Sequence, residues 1–156
     1  MVPLRVATIA KRLLLSHAPD TGAAAASGSG APAEPLRVLV VEDNFDVGEV
    51  LGKTLSDWGY TARVCTLAGE ALALAPYFRP QVVVVDLGLP DLDGWELVRQ
   101  LRQQRPTEPP LFIAVTAHGE DEAFRKSESV GITYHLVKPS YQRQLQQILD
   151  RYANGT

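Results

Sequence analysis

The sequence predicts an α/β fold, a doubly wound five-stranded parallel sheet, and three observations predict it. From residue 36 onward, short β-branched runs alternate with segments of helical period. One run, Gln81 to Val85, contains four consecutive valines and is apolar on both faces, as a central strand covered by helices on both sides requires. Polar and charged residues then follow the runs at their C-terminal ends, where open parallel sheets place their sites.

Leu36–Val41 (LRVLVV) reads as the first strand and ends in Glu42-Asp43. Val47, Val50, Leu51, Leu55 and Trp58 recur at spacings of three and four, which describes one face of a helix closed by Gly59. Tyr60–Cys65 alternates as a second strand, and Leu67–Ala75 is an alanine- and leucine-rich helix that Pro76 is expected to stop. Gln81–Val85 is the third strand, followed by the loop Asp86–Asp93 (DLGLPDLD), in which Asp91 reads as an ordinary loop residue and Asp93 as a helix cap. The next helix, Gly94–Arg102, turns Leu97, Val98 and Leu101 inward. Leu111–Val115 is the fourth strand, and Glu120–Val130 is a polar helix with Glu120, Asp121 and Glu122 in its first turn. Tyr134–Val137 is the fifth strand, and Tyr141, Leu145, Ile148, Leu149 and Tyr152 mark the inward face of the last helix.

Ahead of this domain, Ala, Gly, Ser and Pro supply thirteen of the fifteen residues from Thr21 to Pro35, a segment with almost nothing to bury. Residues 1–35 are therefore expected to form a flexible N-terminal segment and linker, and residues 36–153 the domain. Met1–His17 carries Arg5, Lys11 and Arg12 and no acid, but Lys11 and Arg12 interrupt its apolar stretch, which argues against a targeting peptide. The 156 residues carry a net charge of −3, a poor balance for neutralising nucleic-acid phosphates, so direct nucleic-acid binding is not expected. No apolar run is long enough to span a membrane. The single cysteine, Cys65, can form neither an intrachain disulfide nor, with only three histidines, a Cys/His zinc cluster, and a reducing, cytoplasmic setting is expected.

The residues at the strand ends are Glu42, Asp43, Asp86, Thr116 and Lys138. Three carboxylates brought to one sheet edge repel one another unless a cation sits among them, which points to a hard divalent ion with oxygen ligands, Mg²⁺ first. A lysine to pair with an anion and a threonine to donate a hydrogen bond complete a cradle for a phosphoryl group.

With VLVVEDN at 38–44, VVVVDLGLPDLDG at 82–94, AVTAHG at 114–119 and LVKPS at 136–140, the chain resembles the receiver domains of bacterial two-component response regulators. Thr116 and Lys138 follow Asp86 by 30 and 52 residues, the intervals of that family. The text GITYHLVKPS is similar to receivers attached to hybrid sensor histidine kinases. The resemblance implies a flavodoxin-like sheet of strand order 2-1-3-4-5 and a phosphorylation-controlled switch that catalyses only its own phosphorylation and dephosphorylation. It makes Asp86 the phosphoacceptor and Glu42, Asp43, Asp86 and the backbone carbonyl of Gly88 the Mg²⁺ ligands. Lys138 pairs with a phosphoryl oxygen, Thr116 carries the signal, and Lys138-Pro139 is a cis peptide.

The implied partner is a sensor histidine kinase or a histidine phosphotransfer protein, without membrane contact. A homodimer through the face of the fourth helix, fifth strand and fifth helix is a candidate assembly. No output domain follows the last helix in this sequence, so output is expected through protein contact, or the chain is a piece of a larger protein. Where many receivers carry a switching Tyr or Phe, this chain has His135, with Tyr134 on the opposite face by strand alternation. His118, two residues after Thr116, is a candidate for tuning hydrolysis or a solvated loop residue. Two other readings compete: a haloacid dehalogenase-type phosphatase, for which Asp91-Leu92-Asp93-Gly94 lies too far from the strand end, and a degenerate docking module, against which stand Asp86, Thr116 and Lys138.

Overall fold

The computed structural model describes residues 5–6, 34–117 and 121–155. Along the chain run β1 (Arg5–Val6), β2 (Arg37–Val41), α1 (Phe45–Asp57), β3 (Thr61–Cys65), α2 (Ala68–Phe78) and β4 (Val82–Asp86). They are followed by α3 (Gly94–Gln104), β5 (Leu111–Thr116), α4 (Asp121–Val130), β6 (Tyr134–Val137) and α5 (Gln142–Ala153). The strands form one sheet of order β3-β2-β4-β5-β6-β1. β2 to β6 are all parallel and, counted among themselves, have the expected order 2-1-3-4-5. β1 adds to the outer edge of β6 antiparallel, with Arg5 opposite His135 and Val6 opposite Tyr134. Two residues are too short a run to show an alternation, so the sequence carries no sign of this strand.

Strand alternation divides the core into two layers. Val38, Val40, Val82, Val84, Ile113, Val115, Tyr134 and Leu136 face α1 and α5 through Leu51, Leu55, Leu145, Ile148 and Leu149. Leu39, Val41, Val83, Val85, Phe112 and Ala114 face α2 and α3 through Ala68, Ala71, Ala75, Leu97, Val98 and Leu101. The four valines of β4 thus serve both layers. No helix among the described residues is long and apolar enough to cross a membrane.

Three helical expectations need correction. The buried face of α1 consists of Gly48, Leu51, Gly52 and Leu55, while Val50 is 65% exposed and Val47 also reaches the surface. A Cβ on Gly48 or Gly52 would stand 2.9 or 2.7 Å from a methyl of Val64, so the two glycines let the helix lie close on β3 and turn the valines outward. α2 does not stop at Pro76 but runs through it to Phe78. Proline costs the helix its bond to the carbonyl four residues back, and that carbonyl, of Leu72, instead accepts a hydrogen bond from Gln104 Nε2 at 3.1 Å. In α5, Tyr152 is exposed, and the inward face ends at Leu149.

Candidate functional site

The site is built where β2, β4, β5 and β6 end. After β2 the chain turns through Glu42 and Asp43 to Asn44, whose side chain caps α1 by accepting the Val47 N–H at 3.1 Å. That cap leaves the two acids before it at the mouth of the sheet. Glu42 is buried, and its Oε1 accepts the Asn44 N–H at 3.1 Å. Asp86 closes β4, and its Oδ1 accepts the Gly88 N–H at 2.9 Å. One carboxylate oxygen from each of Glu42, Asp43 and Asp86 lies within 4.8 Å of the others.

Lys138, the residue after β6, reaches into this group. Its Nζ donates to Glu42 Oε2 at 2.9 Å and to Asp86 Oδ2 at 3.0 Å. Burial pushes the Glu42 carboxyl above its ordinary value, partly offset by its bonds to Lys138 and Asn44. For Lys138 burial opposes the charge, but the bonds to Glu42 and Asp86 and the attraction of both acids outweigh it and raise the pKa. An ammonium and two carboxylates therefore hold one another at the sheet edge.

Thr116 is buried as the last residue of β5, one step beyond Val115, the register partner of Asp86. Its carbonyl accepts the Lys138 N–H at 2.8 Å, which ties the two strand ends together. The Lys138-Pro139 peptide is cis. Glu42, Asp43, Asp86 and Lys138 are thus brought together, and Thr116 and Gly88 adjoin them along the backbone. His118 lies outside the described residues, as do Glu120 and the linker of residues 21–33.

His135 lies on the other face of β6 from Tyr134, whose ring enters the core layer of α1 and α5. His135 is buried, its ring stacks on Phe124 of α4 with centroids 6.1 Å apart, and its Nδ1 is 3.3 Å from Ser127 Oγ. Ser127 Oγ also accepts the Trp95 Nε1–H of α3 at 3.0 Å. Sequence reasoning missed Ser127 and Trp95, because a serine within a polar helix and a tryptophan 32 residues earlier carry no sign of each other. It likewise missed Asp91, whose oxygens accept the N–H groups of Ala68 and Gly69 at the start of α2. Asp91 is therefore committed to α2 and is not the acid–base partner that a dehalogenase-type phosphatase needs, while Asp93 caps α3 through the Glu96 N–H as expected.

Hard oxygen donors, a half-buried counter-ion and a position at the C-terminal edge of a parallel sheet suit an arrangement that handles a divalent cation and a phosphoryl group. Residues 38–150 match the family model of the response regulator receiver domain. The chain is 31% identical over 117 residues to an uncharacterized 14.6 kDa protein of Leptolyngbya boryana, covering 75% of this chain and 89% of that one. It is 32% identical over 124 residues to the signal transduction histidine-protein kinase BarA of Shigella flexneri, covering 78% of this chain but only 13% of the kinase. It also spans less than half the length of the transcriptional regulatory proteins it matches. Among solved structures, the chemotaxis protein CheY4 of Vibrio cholerae superposes with a TM-score of 0.71 at 30% identity, over 75% of this chain and 98% of that one.

Proposed function

The chain belongs to the response regulator receiver family, and from that membership we propose that it is a phosphoacceptor of a two-component phosphorelay, with Asp86 as the acceptor. Receiver domains are signalling switches, and the donor here would be a phosphohistidine on a sensor histidine kinase or a phosphotransfer protein in the cytoplasm. The observation that carries the reading is Lys138, whose ammonium touches both Glu42 and Asp86 within the three-acid group.

The donor set fits Mg²⁺, since every side-chain ligand it offers is a hard carboxylate oxygen. Glu42, Asp43 and Asp86, with the Gly88 carbonyl, would hold the ion, which when bound offsets the acids' mutual repulsion and draws charge from the phosphoryl oxygens. An Asp86 oxygen forms the new P–O bond as the P–N bond to the donor imidazole breaks and its electron pair stays on the ring nitrogen. Lys138 moves from pairing the free carboxylates to pairing a phosphoryl oxygen, and the Thr116 hydroxyl donates a hydrogen bond to another. Phosphorylation thereby gives differential contacts to Thr116 and Lys138, which bias α4 and β6 between two arrangements, with His135 as the ring that reports the change. The face of α4, β6 and α5 is the output surface, through protein contact including a homodimer, with no direct binding of nucleic acid or membrane.

Incubation with acetyl phosphate and Mg²⁺, followed by intact-mass measurement, tests the reading. A gain of one phosphoryl mass that is lost in Asp86→Asn is the expected result. Incorporation that persists in Asp86→Asn would move the acceptor elsewhere, and none in the unmodified chain would favour a docking module.

A further inference from the structure

The outer edge of β6 would be the exposed edge of the parallel sheet, a row of unpaired N–H and C=O groups able to accept another strand. Here it is paired with Arg5 and Val6. The direction of β1 fits the path of the chain. Since β1 is antiparallel to β6, it leaves the sheet at Tyr134, the starting end of β6, and β2 begins at that same end. From β1 to β2 is four strand-to-strand steps, about 19 Å. Thirty residues separate Val6 from Arg37, and a chain of that length can reach up to about 100 Å, far more than the gap requires. The length of chain therefore lets the connection close within one molecule, and covalent tethering favours the chain's own segment over a second copy in dilute solution.

We propose that the outer edge of β6 is a strand-docking surface and that the chain's own Arg5–Val6 segment is its resident occupant, bound in cis. The register places Arg5 opposite His135, so the occupant lies along the strand that carries the contacts of His135 with Phe124 and Ser127. Any assembly that uses the β6 edge, a second copy included, must first displace this segment. The proposal stands whether or not Asp86 is the phosphoacceptor.

Amide hydrogen exchange on the full chain tests it. By strand alternation one of the Tyr134 and His135 amides faces away from β5, and it should exchange at least about tenfold more slowly in the unmodified chain than in the double substitution Arg5→Pro, Val6→Pro, which removes both N–H groups of β1. The same protection should persist on serial dilution of the unmodified chain, which needs no variant. Equal exchange in the two proteins would overturn the docking surface. Protection that fades on dilution would place the strand in a second copy and overturn binding in cis.

Discussion

Asp91 caps a helix that begins at Ala68, twenty-three residues before it: Oδ1 accepts the Ala68 N–H and Oδ2 the Gly69 N–H, each at 3.0 Å. α2 needs this help, because its own N-cap, Leu67, has no side chain that accepts a hydrogen bond. The contact also ties down the loop that follows Asp86. The Gly69 and Ala68 bonds hold the Asp91 carboxyl below its ordinary value of 3.8. A lowered carboxylate pKa stabilises the fold above the ordinary value and ceases to do so as pH falls through the lowered one. Urea unfolding at pH 7 should rank the unmodified chain above Asp91→Asn, which keeps one acceptor, and Asp91→Ala lowest. The gap to Asp91→Ala should shrink as pH drops below 3.8.

Lys138 shares Glu42 and Asp86 with the cation those acids would hold, so ammonium and Mg²⁺ compete. Lys138→Met should tighten Mg²⁺ binding by about tenfold, roughly 1.4 kcal/mol and within the range of one charge at contact distance near a protein surface. Titration calorimetry reads this directly. The same variant should lose its phosphoryl group faster, because the counter-charge to that group is gone.

Gly52 sets two opposing effects against each other. Alanine would gain about 1 kcal/mol of helix propensity, but its Cβ would meet a Val64 methyl at 2.7 Å, an overpacking that costs about 1–3 kcal/mol. Gly52→Ala should therefore range from neutral to about 2 kcal/mol destabilising in chemical denaturation. On a Val64→Ala background the same change should become stabilising.

Gln104 answers the carbonyl that Pro76 leaves unpaired. Gln104→Ala should cost about 0.5–1 kcal/mol, the low end of a hydrogen bond's worth because water can reach the Leu72 carbonyl. Pro76→Ala restores the helical N–H, so the Gln104 effect should vanish in that background, a coupling that a double-mutant cycle measures.

The Cys65 thiol is pushed up to about 11, by burial first and then by the charge of Glu70. A raised thiol pKa keeps the neutral form at neutral pH, and reactivity belongs to the thiolate. Against the ordinary value of 9.0, the thiolate at pH 8 is roughly a hundredfold scarcer. Alkylation at pH 8 should accordingly be slower by at least about that factor in the folded chain than in denaturant.

The parts legible in the sequence are those set by local pattern. Val82–Val85 could only be a two-sided strand, and parallel topology then carries Glu42, Asp86, Thr116 and Lys138 to one edge. What stayed hidden depends on partners distant along the chain. The helix through Pro76 is tolerable because Gln104 stands beside Leu72, and α1 turns Val50 outward because Val64 meets Gly48 and Gly52. Asp91 looked like a loop residue because a carboxylate's acceptors can serve a helix that its own position does not announce. Ser127 and Trp95 are joined only because α3 and α4 pack side by side.

β4 is laddered along its length to β2 on one side and β5 on the other, and its valines are wedged alternately into both core layers. β6 has β5 on one side, only the two residues of β1 on the other, and above it a helix, α4, whose one fully buried residue is Ser127. The mouth of the sheet therefore works like a vice with one fixed and one sliding jaw. Asp86 is mounted on the fixed jaw and Lys138 on the sliding one. Local opening should become easier from β4 toward β6, so a group gripped between Asp86 and Lys138 is felt mainly as a displacement of the β6 and α4 side.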